Sequence, residues 1–268
     1  MLVNPPHVST TGKLALSWSE RKQRRSVAIF LLSAMTMFFS ESNVLAKNVE
    51  STATPMSKVK VEVEGGSLAK TTHTNVIPKT ANHSDEPPFM NGEPEHISLG
   101  FDSDSSNDFA PESHRQLLVY PLASYAVLFK GKEKIQFDGQ IQQLKKILAT
   151  KSDHGIKEIP MLPPAEAFQV FHNHVKYLSF KQGTGVAFLT SYAQDEAPIE
   201  NGNIFYTYQG ISADRKYYVS LVYPIKALKL PKIASVKAGV DYVAKMSDDQ
   251  FAPKLSEIDR LIQTISIK

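Results

Sequence analysis

Residues 183–224 read GTGVAFLTSYAQDEAPIENGNIFYTYQGISADRKYYVSLVYP, and this stretch decides the fold. Val186, Phe188, Thr190 and Tyr192 alternate with smaller residues. Ile204, Tyr206 and Tyr208 do the same, as do Tyr217, Val219, Leu221 and Tyr223. A period of two sends successive side chains to opposite faces of a strand. Asn201-Gly202 predicts a type I′ hairpin turn, and Ala213-Asp214-Arg215-Lys216 predicts a second turn. The stretch is therefore three consecutive antiparallel strands.

Upstream, Ile97–Phe101 predicts a strand, and Leu117–Tyr120 and Tyr125–Phe129 predict extended segments near Pro121. Phe137, Ile141, Leu144 and Leu148 have the spacing of one helix face. Pro160, Pro163 and Pro164 break the chain, and Pro164 is placed to open a second helix whose Phe168, Phe171 and Val175 share a face. Downstream, Leu255, Ile258, Leu261, Ile262 and Ile265 form the apolar stripe of a helix opened by Pro253. An antiparallel β-meander flanked by helices is an α+β layered domain, assigned to residues 96–268 and long enough to bury one core.

Residues 47–95 carry few large apolar side chains. Stretches such as Thr71-Thr72-His73-Thr74-Asn75 and Asp85-Glu86-Pro87-Pro88 predict a disordered linker, with Val59, Val61 and Val63 a short strand inside it. Before it, Arg21-Lys22-Gln23-Arg24-Arg25 precedes the uncharged run Ser26–Phe39 and the small-residue site Val44-Leu45-Ala46. That is the layout of a Sec-type signal peptide over residues 1–46. Helical, the run would span about 21 Å against about 30 Å of hydrocarbon, so no stable membrane span is expected unless the signal is retained. The expected location is periplasmic or secreted.

The 268 residues are 42% hydrophobic and 21% charged, with no cysteine. Disulfides, thiolate catalysis, cysteine-ligated zinc, iron–sulfur clusters and a lipidated N-terminal cysteine are thereby excluded. Of the net +3, all comes from residues 1–46, and the remainder balances 25 basic against 25 acidic side chains. Nothing in that balance points to nucleic acid.

The motifs that carry chemistry are weak. His172 and His174 are the one close histidine pair, and on a helix positions i and i+2 diverge, so no metal site is expected. Asp102–Asp108 resembles a calcium loop but has Asn107 where glycine is needed and Ser113 where the bidentate glutamate belongs. Lys181–Gly185 lacks the ending of a phosphate loop, no Gly-x-Ser-x-Gly elbow occurs, and Glu196 and Glu200 flank a turn at Pro198. Lys226, Lys229 and Lys232 read as a solvated edge. The tyrosines are the strongest signal, because a large apolar ring with a polar tip suits a ligand or partner surface. Tyr206, Tyr208, Gln209, Tyr218 and His172 are the candidate residues of that surface; no catalytic or metal residue and no cofactor is assigned.

Across residues 96–268 the chain is similar to a family of uncharacterised exported bacterial proteins. The shared words are Val119-Tyr120-Pro121-Leu122, Leu162-Pro163-Pro164-Ala165, Phe171-His172 with Lys176-Tyr177-Leu178-Ser179-Phe180, Gly183-Thr184-Gly185-Val186, Leu189–Gln194 and Tyr206–Gly210. Tyr217-Tyr218-Val219 and Leu230-Pro231 complete them. Over residues 186–268 the hairpins ending in Tyr217-Tyr218-Val219 and the closing helix resemble the PsbP/Mog1-type α/β/α sandwich. That resemblance implies a non-catalytic binding or assembly factor. The expected function is thus an exported binding or assembly module for a protein or small ligand outside the cytoplasm. The alternative is an exported hydrolase whose site assembles around His172 only in three dimensions.

Overall fold

A computed structural model describes residues 54–83, 90–102, 114–165, 167–195 and 197–268. The signal assigned to residues 1–46, residues 47–53 and 84–89 of the linker, most of the calcium-like stretch, and Glu196 lie outside the described residues.

A single 3₁₀ turn, Met56–Lys58, opens the described chain. It leads to β1 (Val61–Glu62), β2 (Thr72–Ile77), β3 (His96–Phe101), β4 (Gln116–Pro121), α1 (Leu122–Ala126) and α2 (Gly131–Thr150). There follow β5 (Phe168–Phe180), β6 (Gly183–Ala193), β7 (Phe205–Ser212), β8 (Tyr217–Pro224) and β9 (Lys226–Ala227). The chain closes with α3 (Val236–Ala244), β10 (Phe251–Ala252), α4 (Leu255–Thr264) and β11 (Ser266–Ile267). Seven strands make one sheet in the order β2-β3-β4-β8-β7-β6-β5, antiparallel at every step. The fold is α+β.

The sheet alternates between two apolar faces because its strands alternate. Ile97, Leu99, Leu117, Val119, Tyr206, Tyr208 and Leu221 face Val243 of α3 and Leu255, Ile258, Leu261 and Ile262 of α4. Leu118, Tyr120, Val186, Phe188 and Tyr218 face Leu122 and Tyr125 of α1 and Phe137, Ile141, Leu144 and Ile147 of α2. The α4 stripe read from the sequence is buried, and of the α2 stripe Phe137, Ile141 and Leu144 are buried while Leu148 is half-buried beside the buried Ile147. Helices cover both faces.

Four local expectations are corrected. Residues 168–180 form a strand, not a helix, because two β-bulges put one extra residue each into β5, between Gln169 and Phe171 and between Asn173 and Lys176. Those insertions turn a period of two into spacings of three and four that imitate a helix. Phe168 is 71% exposed, while Phe171 and Val175 pack in opposite cores. Tyr125–Phe129 is not extended: Pro121, at φ −73°, begins α1 instead. Asn201-Gly202 is no two-residue hairpin, since β6 ends at Ala193 and β7 starts at Phe205, and neither residue has positive φ. Asn201 instead holds the chain at Ala227, accepting from its N–H at 2.7 Å and donating to its C=O at 3.1 Å.

The fourth correction is to the extent of the linker. Among residues 47–95, the described portion is folded. Met56 is 2% exposed, β1 pairs with β11, and β2 adds an edge strand to the sheet. Carboxylates fasten this segment: Glu95 accepts from the Met56 N–H at 2.8 Å, and Glu133 accepts from Asn82 Nδ2 at 2.8 Å and from the Met90 N–H at 3.0 Å. Its polar composition is that of an edge, where the backbone makes the pairing and side chains face water.

Candidate functional site

The tyrosine surface expected from the sequence is interior. Tyr206, Tyr208, Gln209 and Tyr218 are each 0% exposed. Tyr206 and Tyr208 point to the α4 side, where Tyr206 donates to Asp259 Oδ1 at 2.8 Å and Tyr208 donates to the Leu178 carbonyl at 3.2 Å. Burial pushes both phenols up. Gln209 and Tyr218 point to the α2 side and are brought together, Tyr218 donating to Gln209 Oε1 at 2.6 Å. Gln209 Nε2 in turn donates to Thr207 and Ser220, at 2.7 and 3.1 Å, so the amide is spent inside the sheet. These residues hold strands together and offer no surface.

His172 stands apart from them, half-buried on β5. Its Nδ1 meets Gln169 Oε1 at 3.1 Å and its Nε2 lies 3.6 Å from Asp153 Oδ2. Gln169 also grips the loop below it, accepting from the Ile159 N–H at 2.9 Å and donating to the Ile159 carbonyl at 3.2 Å. Burial lowers the imidazole pKa, and the Asp153 carboxylate opposes that shift. The second bulge, with His174 at φ +50°, turns His174 to the other face, against the Val243 carbonyl at 3.0 Å and edge-on to Phe251. The two imidazoles therefore diverge on a strand, where regular alternation would have aligned them. Among the described residues no group of three His, Asp or Glu side chains could hold a metal ion.

Two polar clusters escaped the sequence reading because their members are far apart in the chain. Lys176 on β5 binds Asp259 of α4 at 2.8 Å and also Asp248, and Asp259 accepts from Tyr206 on its other oxygen. Burial alone would lower the Lys176 pKa, but the hydrogen bonds and charges of Asp248 and Asp259 outweigh it and raise the pKa. On the opposite side, Tyr120 donates to Glu93 Oε2 at 2.6 Å, and the His96 ring lies 4.5 Å from that of Tyr120. His96 Nδ1 is 2.9 Å from the Pro94 carbonyl, which can only accept, so that nitrogen carries the proton. The trough beside this cluster has a volume of about 60 Å³, room for a few waters.

Larger openings lie at the end of the sheet where β7 begins. One hollow of about 420 Å³ is lined by Pro198, Ile199, Asn201, Leu230, Pro231 and Ile233. A second, about 600 Å³, is lined by Val170, Ser235, Val236, Lys237 and Val240. Pro198 and Ala234 line both, so the two are neighbours. These volumes fall in the range of ligand clefts. The walls are braced: Tyr242 donates to the Lys229 carbonyl at 2.9 Å, Ser235 caps α3 by accepting from the Ala238 N–H at 3.3 Å, and Gly239 lets α3 approach Ile199. Between these braces, residues 230–234 make no backbone hydrogen bond among the described residues. The hollows are of mixed lining, with Glu200, Lys232 and Lys237 beside the apolar side chains, and the carbonyls of 230–234 and their N–H groups, Pro231 apart, have no backbone partner among the described residues.

Of this groove, the sequence drew notice to Leu230-Pro231 as a shared word, to Lys232 as part of a solvated edge, and to Pro198, Glu200 and Asn201 as turn residues, and to none of them as a site. A groove built from two loops has no periodicity to betray it. No protein-family model, curated protein or solved structure matches the chain. Among the described residues no helix is long and apolar enough to cross a membrane.

Proposed function

We propose that this chain is an exported, non-catalytic binding module, periplasmic or secreted, that takes an extended segment of a partner polypeptide in the groove between residues 198–201 and 230–240. The observation that carries the reading is the juxtaposition of hollows holding Ile199, Ile233 and Val240 with residues 230–234, whose carbonyls and, Pro231 apart, N–H groups have no backbone partner among the described residues. An extended peptide brings the matching N–H and C=O groups, and its alternate side chains fill the hollows.

Random peptides displayed on phage provide the test. The purified chain should enrich sequences with apolar residues at alternate positions. The half-buried Val240, changed to Glu, should weaken the selected peptides by about tenfold or more while the chain stays folded. Enrichment that survives Val240→Glu unchanged, or turnover of a hydrolase substrate abolished by His172→Ala, would replace this reading.

A further inference from the structure

The two edges of the sheet are built differently. β5 is long, but two bulges interrupt its pairing, and His174 and Lys176 at the second bulge are bonded to groups of the α3–α4 side. Bulges and inward-turned polar groups are how proteins disable an edge. β2 has none of these devices. It pairs with β3 over six consecutive positions, Thr72↔Phe101 through Ile77↔His96, without a register shift. Its sequence, THTNVI, contains no lysine, acid, proline or glycine, and every residue from Thr72 to Val76 is exposed. An uninterrupted, uncharged, uncovered edge is a template for another strand.

The charges flanking it select the occupant. Lys70 and Lys79 bracket the strand, both are exposed, and neither enters an ion pair among the described residues. If two copies paired β2 antiparallel and in register, Thr72 would face Ile77, and continuing the register would bring Lys70 against Lys79 twice. Like charges directly opposite one another disfavour that pairing. A strand with acidic residues at both ends meets each lysine with an opposite charge. Cross-strand positions facing Thr72, Thr74 and Val76 favour threonine and β-branched residues.

We infer that β2 is an interaction edge that accepts an extended, acid-flanked segment of another polypeptide as an eighth antiparallel strand. This site is separate from the groove at residues 198–240, and either can fail without the other.

The probe is a synthetic ten-residue peptide with two glutamates at each end and alternating threonine and valine between them, added to the full chain at low salt. Binding should slow hydrogen exchange at the outward-facing amides of residues 72–77 and leave the β6–β8 amides unchanged. The exposed pair changed to K70E/K79E should bind this peptide about tenfold more weakly and should gain affinity for the version flanked by lysines. Protection of β2 by neither peptide overturns the proposal, as does binding indifferent to the charge reversal. Concentration-dependent self-association that protects β2 without peptide would also overturn it, by assigning the edge to a second copy.

Discussion

Replacing Lys176 by Met tests whether the charge cluster under α4 acts as one unit. The ammonium lies 2.8 Å from Asp259 Oδ2 and also binds Asp248, while Tyr206 donates to the other oxygen of Asp259. Asp259 is 9% exposed, so removing its cation leaves a carboxylate that water reaches poorly. Breaking a buried pair in this way costs about 3–5 kcal/mol. The Lys176 side chain is 30% exposed and that of Asp248 36%, so solvent recovers part of the loss. The expected cost is about 2 kcal/mol. Asp259→Asn alone should cost about 1 kcal/mol, because the amide oxygen still accepts from Tyr206 and Lys176 keeps Asp248. The double variant K176M/D259N has no stranded charge at Asp259 and should be no worse than K176M alone. Urea denaturation of the four proteins at pH 7 measures the cycle. The pH dependence supplies a second check. A lysine whose folded pKa is raised contributes stability that is fully present below the unfolded value, about 10.4, and is lost as pH rises through the folded value. The gap between wild type and K176M should therefore be constant from neutral pH to about 9 and shrink in stronger base. Additivity of the two single changes within about 0.5 kcal/mol would refute the coupling.

Gly185→Ala should be among the most damaging small changes, because its Cβ would sit 2.4 Å from Tyr208 Cζ and 2.6 Å from the Gln209 carbonyl oxygen. A loss of about 3 kcal/mol, read as a fall in Tm, is expected, and an unchanged Tm would show that Tyr208 does not lie across this strand. Glu62 is drawn down from 4.5 to about 2 by its bonds to Lys268 and Lys60. The stability lost in Glu62→Gln should be fully visible above pH 4.5 and fade as pH falls toward about 2, as followed by thermal melts in acid. For export, N-terminal sequencing of the chain recovered outside the cytoplasm should begin at Lys47, and reversing the charges of Arg21, Lys22, Arg24 and Arg25 should leave the precursor inside.

What the sequence disclosed depended on unbroken periodicity. Phe137, Ile141 and Leu144 on α2, Leu255, Ile258, Leu261 and Ile262 on α4, and the alternating residues of β6, β7 and β8 each repeat one period long enough to be read as helix or strand. β5 defeats that reading because its bulges add one residue twice, so Phe168, Phe171 and Val175 mimic a helix face that does not exist. β2 defeats it for the opposite reason. An edge strand that buries almost nothing has no hydrophobic pattern, and THTNVI reads as linker until His96–Phe101 is seen alongside it.

The candidate site was misread through a different gap between pattern and structure. Alternation puts Tyr206 and Tyr208 on one face, as observed, but it did not separate from them Tyr218, which the expected surface had included and which pairs with Ile211 of β7 on the other face. It is silent on what lies over each face. With α4 above one side and α1 and α2 above the other, aromatic residues in the middle of the sheet have only core to contact. A binding surface on this architecture must therefore come from places the helices leave uncovered. The two proposed here, the groove at the end of the sheet and the edge strand β2, are written in residues too polar or too irregular for sequence periodicity to single out.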